Sequence, residues 1–235
     1  MKLNTNSNVY TIVYATVLVI IVAFLLAVVA AALKPRQDAN VLLDTKKQIL
    51  YSLNERSLSN AEAEAFYTEH VTEVACEKCG LTWFEANVEA GKKYVLPVRG
   101  AGLWGPIWGY VALDEDKNTI FGIYFNHEGE TPGLGGEIKE LYFQERFFGK
   151  HLLQDGKFAS IAVMKAGQTA EGQDQVDAVS GATITSKGVE SMLATAIAPY
   201  AEAGWFGAAE APAEEEVAAE EETITVNEEL KNVED

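Results

Sequence analysis

Apolar and polar positions follow three different patterns along the chain. From Ile12 to Leu33 the sequence IVYATVLVIIVAFLLAVVAAAL holds 22 residues without a charge. A helix of that length spans roughly 33 Å, about the thickness of a bilayer's hydrocarbon core. Ala30-Ala31-Ala32 resembles a small-residue cleavage site, and Lys2 is a thin basic region, so a cleaved signal peptide is the competing reading. The apolar run exceeds a signal core of roughly 7–15 residues, which favours a retained anchor. The first 35 residues are read as that anchor.

After Pro35 the pattern turns amphipathic. Val41, Leu42, Ile49, Leu50 and Leu53 predict a helix over 37–53. Ser59-Asn60-Ala61-Glu62 fits a capping box and opens a second helix that runs to about Ala75. Strands are expected over 93–98, 107–113, 119–125 and 158–163, with a hairpin loop at 114–118. Helical spacing returns at Ile138, Leu141, Tyr142 and Phe148, and again over 187–203 through Val189, Met192, Leu193 and Ile197. Together these predict an α+β fold: an N-terminal transmembrane helix, one domain of mixed helices and antiparallel strands over 36–208, and a tail over 209–235.

Charge sharpens the last boundary. The chain carries a formal net charge of −17, and from Glu210 onward there are 11 acids against one lysine. That Ala/Glu-rich stretch is expected to be a disordered acidic tail. The acidic balance argues against nucleic acid as a partner. His70, His127 and His151 are widely spaced and form no metal-ligand pattern, so no metal is expected. Cys76 and Cys79 lack the second pair that a zinc site needs, which leaves a local disulfide or two thiols.

Two segments carry chemistry. Asp177-Ala178-Val179-Ser180-Gly181-Ala182-Thr183-Ile184-Thr185-Ser186 sets four hydroxyls and a glycine just before the last helix. Helix N-termini present unpaired N–H groups and positive potential, which suits a phosphate. An ordinary capped helix start is the plainer reading of the same residues. The second segment pairs Gly102-Leu103-Trp104 with Glu130-Thr131-Pro132-Gly133-Leu134-Gly135-Gly136-Glu137. Glycines lining an indole and a leucine suit a flat aromatic ring system. Read alone, Pro132-Gly133 is a tight turn and the tryptophans are core or interface residues.

The motif Asp177-x-x-Ser180-Gly181-Ala182-Thr183 resembles the pattern for covalent flavinylation by a flavin transferase. The apolar segment, the Asn40–Asp44 region and the Gly102 and Glu130 segments lie in the same order over roughly residues 8–205. With them, the chain resembles the C-subunit family of the Na⁺-translocating NADH:quinone reductase. The flavoprotein G-subunit of the Rnf electron-transport complex shares the anchor and the Ser-Gly-Ala-Thr site. Its wording around Gly102 and Glu130 is less similar.

The resemblance implies FMN joined through its phosphate to the Thr183 hydroxyl, with Asp177, Ser180, Gly181 and Ala182 as recognition and packing positions. It implies flavin contacts from Trp104, Glu130, Thr131, Leu134, Gly135, Val179, Ser180, Gly181, Ala182 and Thr185, and no catalytic side chain beyond the flavin. Thr185 is the nearby hydroxyl that an experiment must separate from Thr183. The implied role is an electron relay between an iron–sulfur centre and the FMN of the B-subunit. The implied setting is an inner-membrane complex with subunits A, B, D, E and F. That complex oxidises NADH, reduces ubiquinone or menaquinone and exports Na⁺.

The resemblance puts the flavin domain on the periplasmic side. Lys34, Arg36, Lys46 and Lys47 after the apolar run, against Lys2 before it, give the opposite orientation by charge count. An anchored binding module without covalent flavin, and a scaffolding subunit, remain readings of a different class.

Overall fold

The computed structural model describes residues 7–76, 79–170 and 173–206. The acidic segment over 209–235 lies outside the described residues. Helix α1 (Asn8–Ser52) runs 45 residues without a break and carries Pro35 inside it. The expected separation at Pro35 is therefore absent. Proline removes one backbone bond, but good helix formers flank it on both sides, and the carbonyl it leaves unpaired, four residues back, sits on an exposed turn. At its start the Ser7 side chain accepts the Tyr10 N–H at 3.2 Å. The apolar stretch is exposed throughout, and only the last turns, with Gln48, Ile49, Leu50 and Ser52, are buried.

Helix α2 (Asn60–His70) begins at the expected capping box, Ser59 and Glu62 each bonding the other's backbone N–H. It ends five residues earlier than the periodicity suggests. Val71–Cys76 forms strand β1 instead. The β-branched residues Val71, Thr72 and Val74 favour the extended chain, which pairs with strand β2 (Leu81–Val88) from Val71↔Ala86 to Cys76↔Leu81. Strand β2 escapes a pattern reading because both its faces are half-covered, so its apolar residues do not alternate with polar ones. Cys76 and Cys79 at the β1–β2 connection are joined by a disulfide.

Strands β3 (Gly91–Ala101), β4 (Pro106–Leu113) and β5 (Ile120–His127) complete an antiparallel meander in the order β1-β2-β3-β4-β5. One sheet face holds Ile49, Leu50, Leu53 and Ala63 of α1, its exit and α2 against Val95 and Ala112. The other holds the larger core, in which Leu96, Val111 and Ile123 meet the C-terminal helix α4 (Thr183–Glu202) through Val189, Met192, Leu193 and Ile197. Helix α4 starts four residues before the expected 187.

The region 135–148 is not one helix. It is a 3₁₀ turn over Gly135–Lys139, helix α3 (Leu141–Gln144) and a second 3₁₀ turn over Glu145–Phe147. Glu140 is extended (φ −79°, ψ 143°) and interrupts the spiral. The break lets Phe143 and Phe147 both pack on Phe125, with ring centroids 6.2 and 5.3 Å away. The expected strand over 158–163 divides into β7 (Lys157–Phe158), paired with β6 (Leu153–Gln154), and β8 (Ala162–Met164). Ser160 at φ 58° makes the break. Strand β8 pairs in parallel with β9 (Gln175–Asp177), which delivers the chain to the start of α4.

The course of α1 orients the sheet. Ser52 lies against Gly122 near the start of β5, Gln48 accepts the Trp108 indole N–H at 3.0 Å, and Asn40 and Asp44 share a cleft with Pro106 and Glu128. The helix therefore leaves the domain at the end of the sheet that carries the β3–β4 turn and the C-terminus of β5.

Candidate functional site

At that same end, four stretches converge: the β3–β4 turn, the loop after β5, the loop after β9 and the first turn of α4. Glu130 ties them together. Its Oε1 accepts the Trp104 backbone N–H at 2.8 Å, and its Oε2 accepts the Thr185 hydroxyl at 2.6 Å. Its own N–H donates to His127 Nδ1 at 3.2 Å. Glu130 is only 4% exposed. Burial alone pushes its carboxyl upward. Hydrogen bonds from Thr185 and from the Trp104 and Leu103 N–H groups, with His127 nearby, outweigh burial and hold it below the usual glutamate range.

The space around this carboxylate admits no extra atoms. A Cβ on Gly135 would strike Glu130 Oε2 and come 2.6 Å from Thr185 Oγ1, and a Cβ on Gly102 would strike Glu130 Oε1. These glycines are required by close approach rather than by an unusual φ.

Of the four hydroxyls before and within the helix start, two are consumed inside and two face out. Thr185 is 1% exposed and bonded to Glu130. Ser186 is fully buried, and its Oγ accepts the Val179 N–H at 3.1 Å. Ser180 and Thr183 are exposed. Position Ala182, which would cap α4, supplies no side-chain hydrogen bond. The plainer expectation of a capped helix start is thus absent. The first-turn N–H groups and the positive end of a 20-residue helix are presented to the outside beside Thr183.

The apolar partners sit around that opening. Trp104 is 69% exposed and Ile184 is 62% exposed, with Leu103 and Leu134 also uncovered. Gly181 has φ +76°, and a Cβ there would come within 3.0 Å of Leu134 Cδ2. Thr131 is exposed, and its carbonyl accepts the Leu134 and Gly136 N–H groups at 3.1 and 2.9 Å, which shapes the loop. Val179, Ala182 and Gly135 are buried behind the surface. Asp177 stands further back: its Oδ1 accepts the Gly167 N–H at 3.0 Å. Trp104, Glu130, Leu134, Gly135, Gly181 and Thr185 are therefore brought together around the opening, while Asp177 faces a neighbouring loop.

Two contributors had no sequence signal. Arg146 donates from Nη1 to the Asp177 and Ala178 carbonyls at 2.7 and 3.3 Å, pinning the start of the motif loop. His127 braces Glu130, and its Nε2 is buried without a hydrogen-bond partner among the described residues. Neither has a residue spacing that links it to the motif.

Residues 102–198 match the family model of the FMN-binding domain. That interval runs from the β3–β4 turn through most of α4, so it contains the converging loops. The C-subunit of the Na(+)-translocating NADH-quinone reductase of Haemophilus ducreyi is 31% identical over 81% of this chain and 90% of its own length. The corresponding protein of Pseudomonas aeruginosa is 29% identical over 81% and 91%. Among solved structures, the C-subunit from Parabacteroides distasonis superposes with a TM-score of 0.69 at 40% identity, covering 76% of this chain and 98% of that one. The NqrC of Shewanella oneidensis gives a TM-score of 0.55 at 26% identity, covering 64% and 89%. The chain belongs to the C-subunit family of the Na(+)-translocating NADH-quinone reductase.

Proposed function

We propose that the chain is the FMN-carrying electron-transfer subunit of a sodium-pumping NADH:quinone reductase, and that Thr183 holds the flavin through a phosphoester. The observation that carries this is the exposed Thr183 hydroxyl at the uncapped start of α4. The residues present fit such a group. An uncapped helix start suits a phosphate, and the exposed Trp104, Leu103, Leu134 and Ile184 offer an apolar face to a ring system. FMN bound there supplies the electron-accepting and electron-donating chemistry.

Trp104, Thr131, Leu134, Ser180 and Gly181 are proposed to contact the flavin directly. Glu130, Gly135, Val179, Ala182 and Thr185 support those residues from behind. Asp177, with Arg146 on its carbonyl, shapes the motif loop that the flavin transferase recognises. Thr183 is the acceptor and Thr185 is not, because the Thr185 hydroxyl is already spent on Glu130.

The apolar segment 12–33 is proposed to cross the inner membrane, with residues 1–35 as anchor and 36–208 as the flavin domain. No flexible joint separates them, since α1 is continuous across that boundary. From Asn40, level with Pro106, to Leu33 is about 10 Å of helix, so the flavin end of the domain faces the bilayer. That placement suits electron partners within the membrane subunits A, B, D, E and F. The Cys76–Cys79 disulfide supports the periplasmic side, because disulfides persist in oxidising compartments. Quinone reduction and Na⁺ export are assigned to the assembled complex.

The test is in-gel fluorescence of denatured full-length protein made with a flavin transferase. Wild type and Thr185→Val are expected to carry fluorescence, and Thr183→Val is expected to carry none. Fluorescence retained by Thr183→Val would overturn the attachment.

A further inference from the structure

We propose that Glu130 is a positioning residue that locks the β3–β4 turn to the first turn of α4 and keeps a fixed negative charge beneath the flavin, holding the flavin's reduction potential low. This rests on the flavin being at Thr183.

The carboxylate's partners lie on both sides of the opening. Trp104 is on the turn, Thr185 is on the helix two residues beyond Thr183, and Glu130 joins them with bonds of 2.8 and 2.6 Å. One side chain therefore sets the spacing between the exposed indole and the acceptor threonine. Glu130 itself is 4% exposed and sits beneath these residues, so it cannot be displaced into solvent to act as a surface contact. Gly102 and Gly135 press on its two oxygens, so the rotamer has no room to change.

The partners also fix the charge state. Backbone N–H groups can only donate, and they donate to this carboxylate. Its depressed pKa agrees with an ionised group at neutral pH. Among the described residues no lysine or arginine forms a salt bridge with Glu130, so the negative charge is compensated by dipoles rather than by such a cation. A flavin that takes up electrons gains negative charge, and a nearby anion in low-dielectric surroundings opposes that gain.

Glu130→Gln separates charge from geometry. The amide oxygen still accepts the Trp104 N–H, and the amide nitrogen can donate to Thr185 Oγ1, so both links survive while the charge is lost. Full-length protein made with the transferase would be titrated electrochemically while its visible spectrum is followed, after peptide mass analysis has located the flavin.

With flavin on Thr183, Glu130→Gln is expected to shift the midpoint potential to more positive values. Thr185→Val, which keeps the charge and removes one donor, is expected to shift it to more negative values. If Glu130→Gln does not fold, Thr185→Val carries the test alone. An unchanged potential in the folded variants, or shifts of the reverse sign, overturns the role of Glu130. Absence of flavin from Thr183 in the wild type is a separate result and overturns the attachment instead.

Discussion

Thr183 and Thr185 are two positions apart on the first turn of α4 and meet opposite surroundings. The Thr185 hydroxyl is buried and donates to Glu130 Oε2 at 2.6 Å, whereas Thr183 is exposed at the uncapped helix start. One threonine holds the frame and the other is left for chemistry.

Their substitutions should therefore separate stability from modification. Thr185→Val leaves a buried carboxylate oxygen without its donor and should cost about 1–3 kcal/mol. Thr183→Val, at an exposed position, should stay within about 0.5 kcal/mol of wild type. Urea unfolding of the two unmodified proteins measures both. A larger loss for Thr183→Val than for Thr185→Val would contradict the assignment.

Gly135 should be coupled to Glu130. Gly135→Ala puts a methyl into the space that Glu130 Oε2 occupies, so overpacking should destabilise the protein by about 1–3 kcal/mol. Removing the carboxylate makes room, so in Glu130→Ala the same Gly135→Ala change should cost less. A double-mutant cycle by chemical denaturation should give an interaction energy of at least about 0.5 kcal/mol. Additive losses would show that the two do not share that space.

Acid should weaken the frame through Glu130. Its folded pKa lies below the usual glutamate range, so on acidification the unfolded state takes up the proton first. The stabilisation is fully present above the unfolded value and is lost as pH falls through the folded one. The stability gap between wild type and Glu130→Gln should thus shrink from about pH 6 to about pH 3. Equilibrium unfolding across that range reads it, and a gap that widens with acid would contradict the depressed pKa.

Much of this architecture is legible in local pattern. The Ser59–Glu62 capping box, the apolar run to Leu33 and strands β4 and β5 are written in residues a few positions apart. Strand β1 reads as helix in the sequence because Val71–Cys76 follows a helix without a glycine or proline to mark the change. The early start of α4 is hidden because Ala182 is no cap, and that omission is part of the site.

The candidate site is legible as a set of motifs but not as a hierarchy. Sequence places Glu130 and Thr185 among the flavin contacts with Trp104 and Leu134. Burial separates them: Glu130 and Thr185 are inside, while Trp104 and Leu134 face out. The link from Glu130 to Thr185 spans 55 residues, and no local spacing encodes it. The same holds for Arg146, which reaches the Asp177 carbonyl across 31 residues.

Mass analysis of the tryptic peptide 166–187, from full-length protein made with an active flavin transferase, bears most directly on the flavin's attachment. The expected product carries the mass of FMN less one water, with fragmentation placing it on Thr183. An unmodified peptide, or the same mass on Thr185 or Ser180, would contradict that attachment.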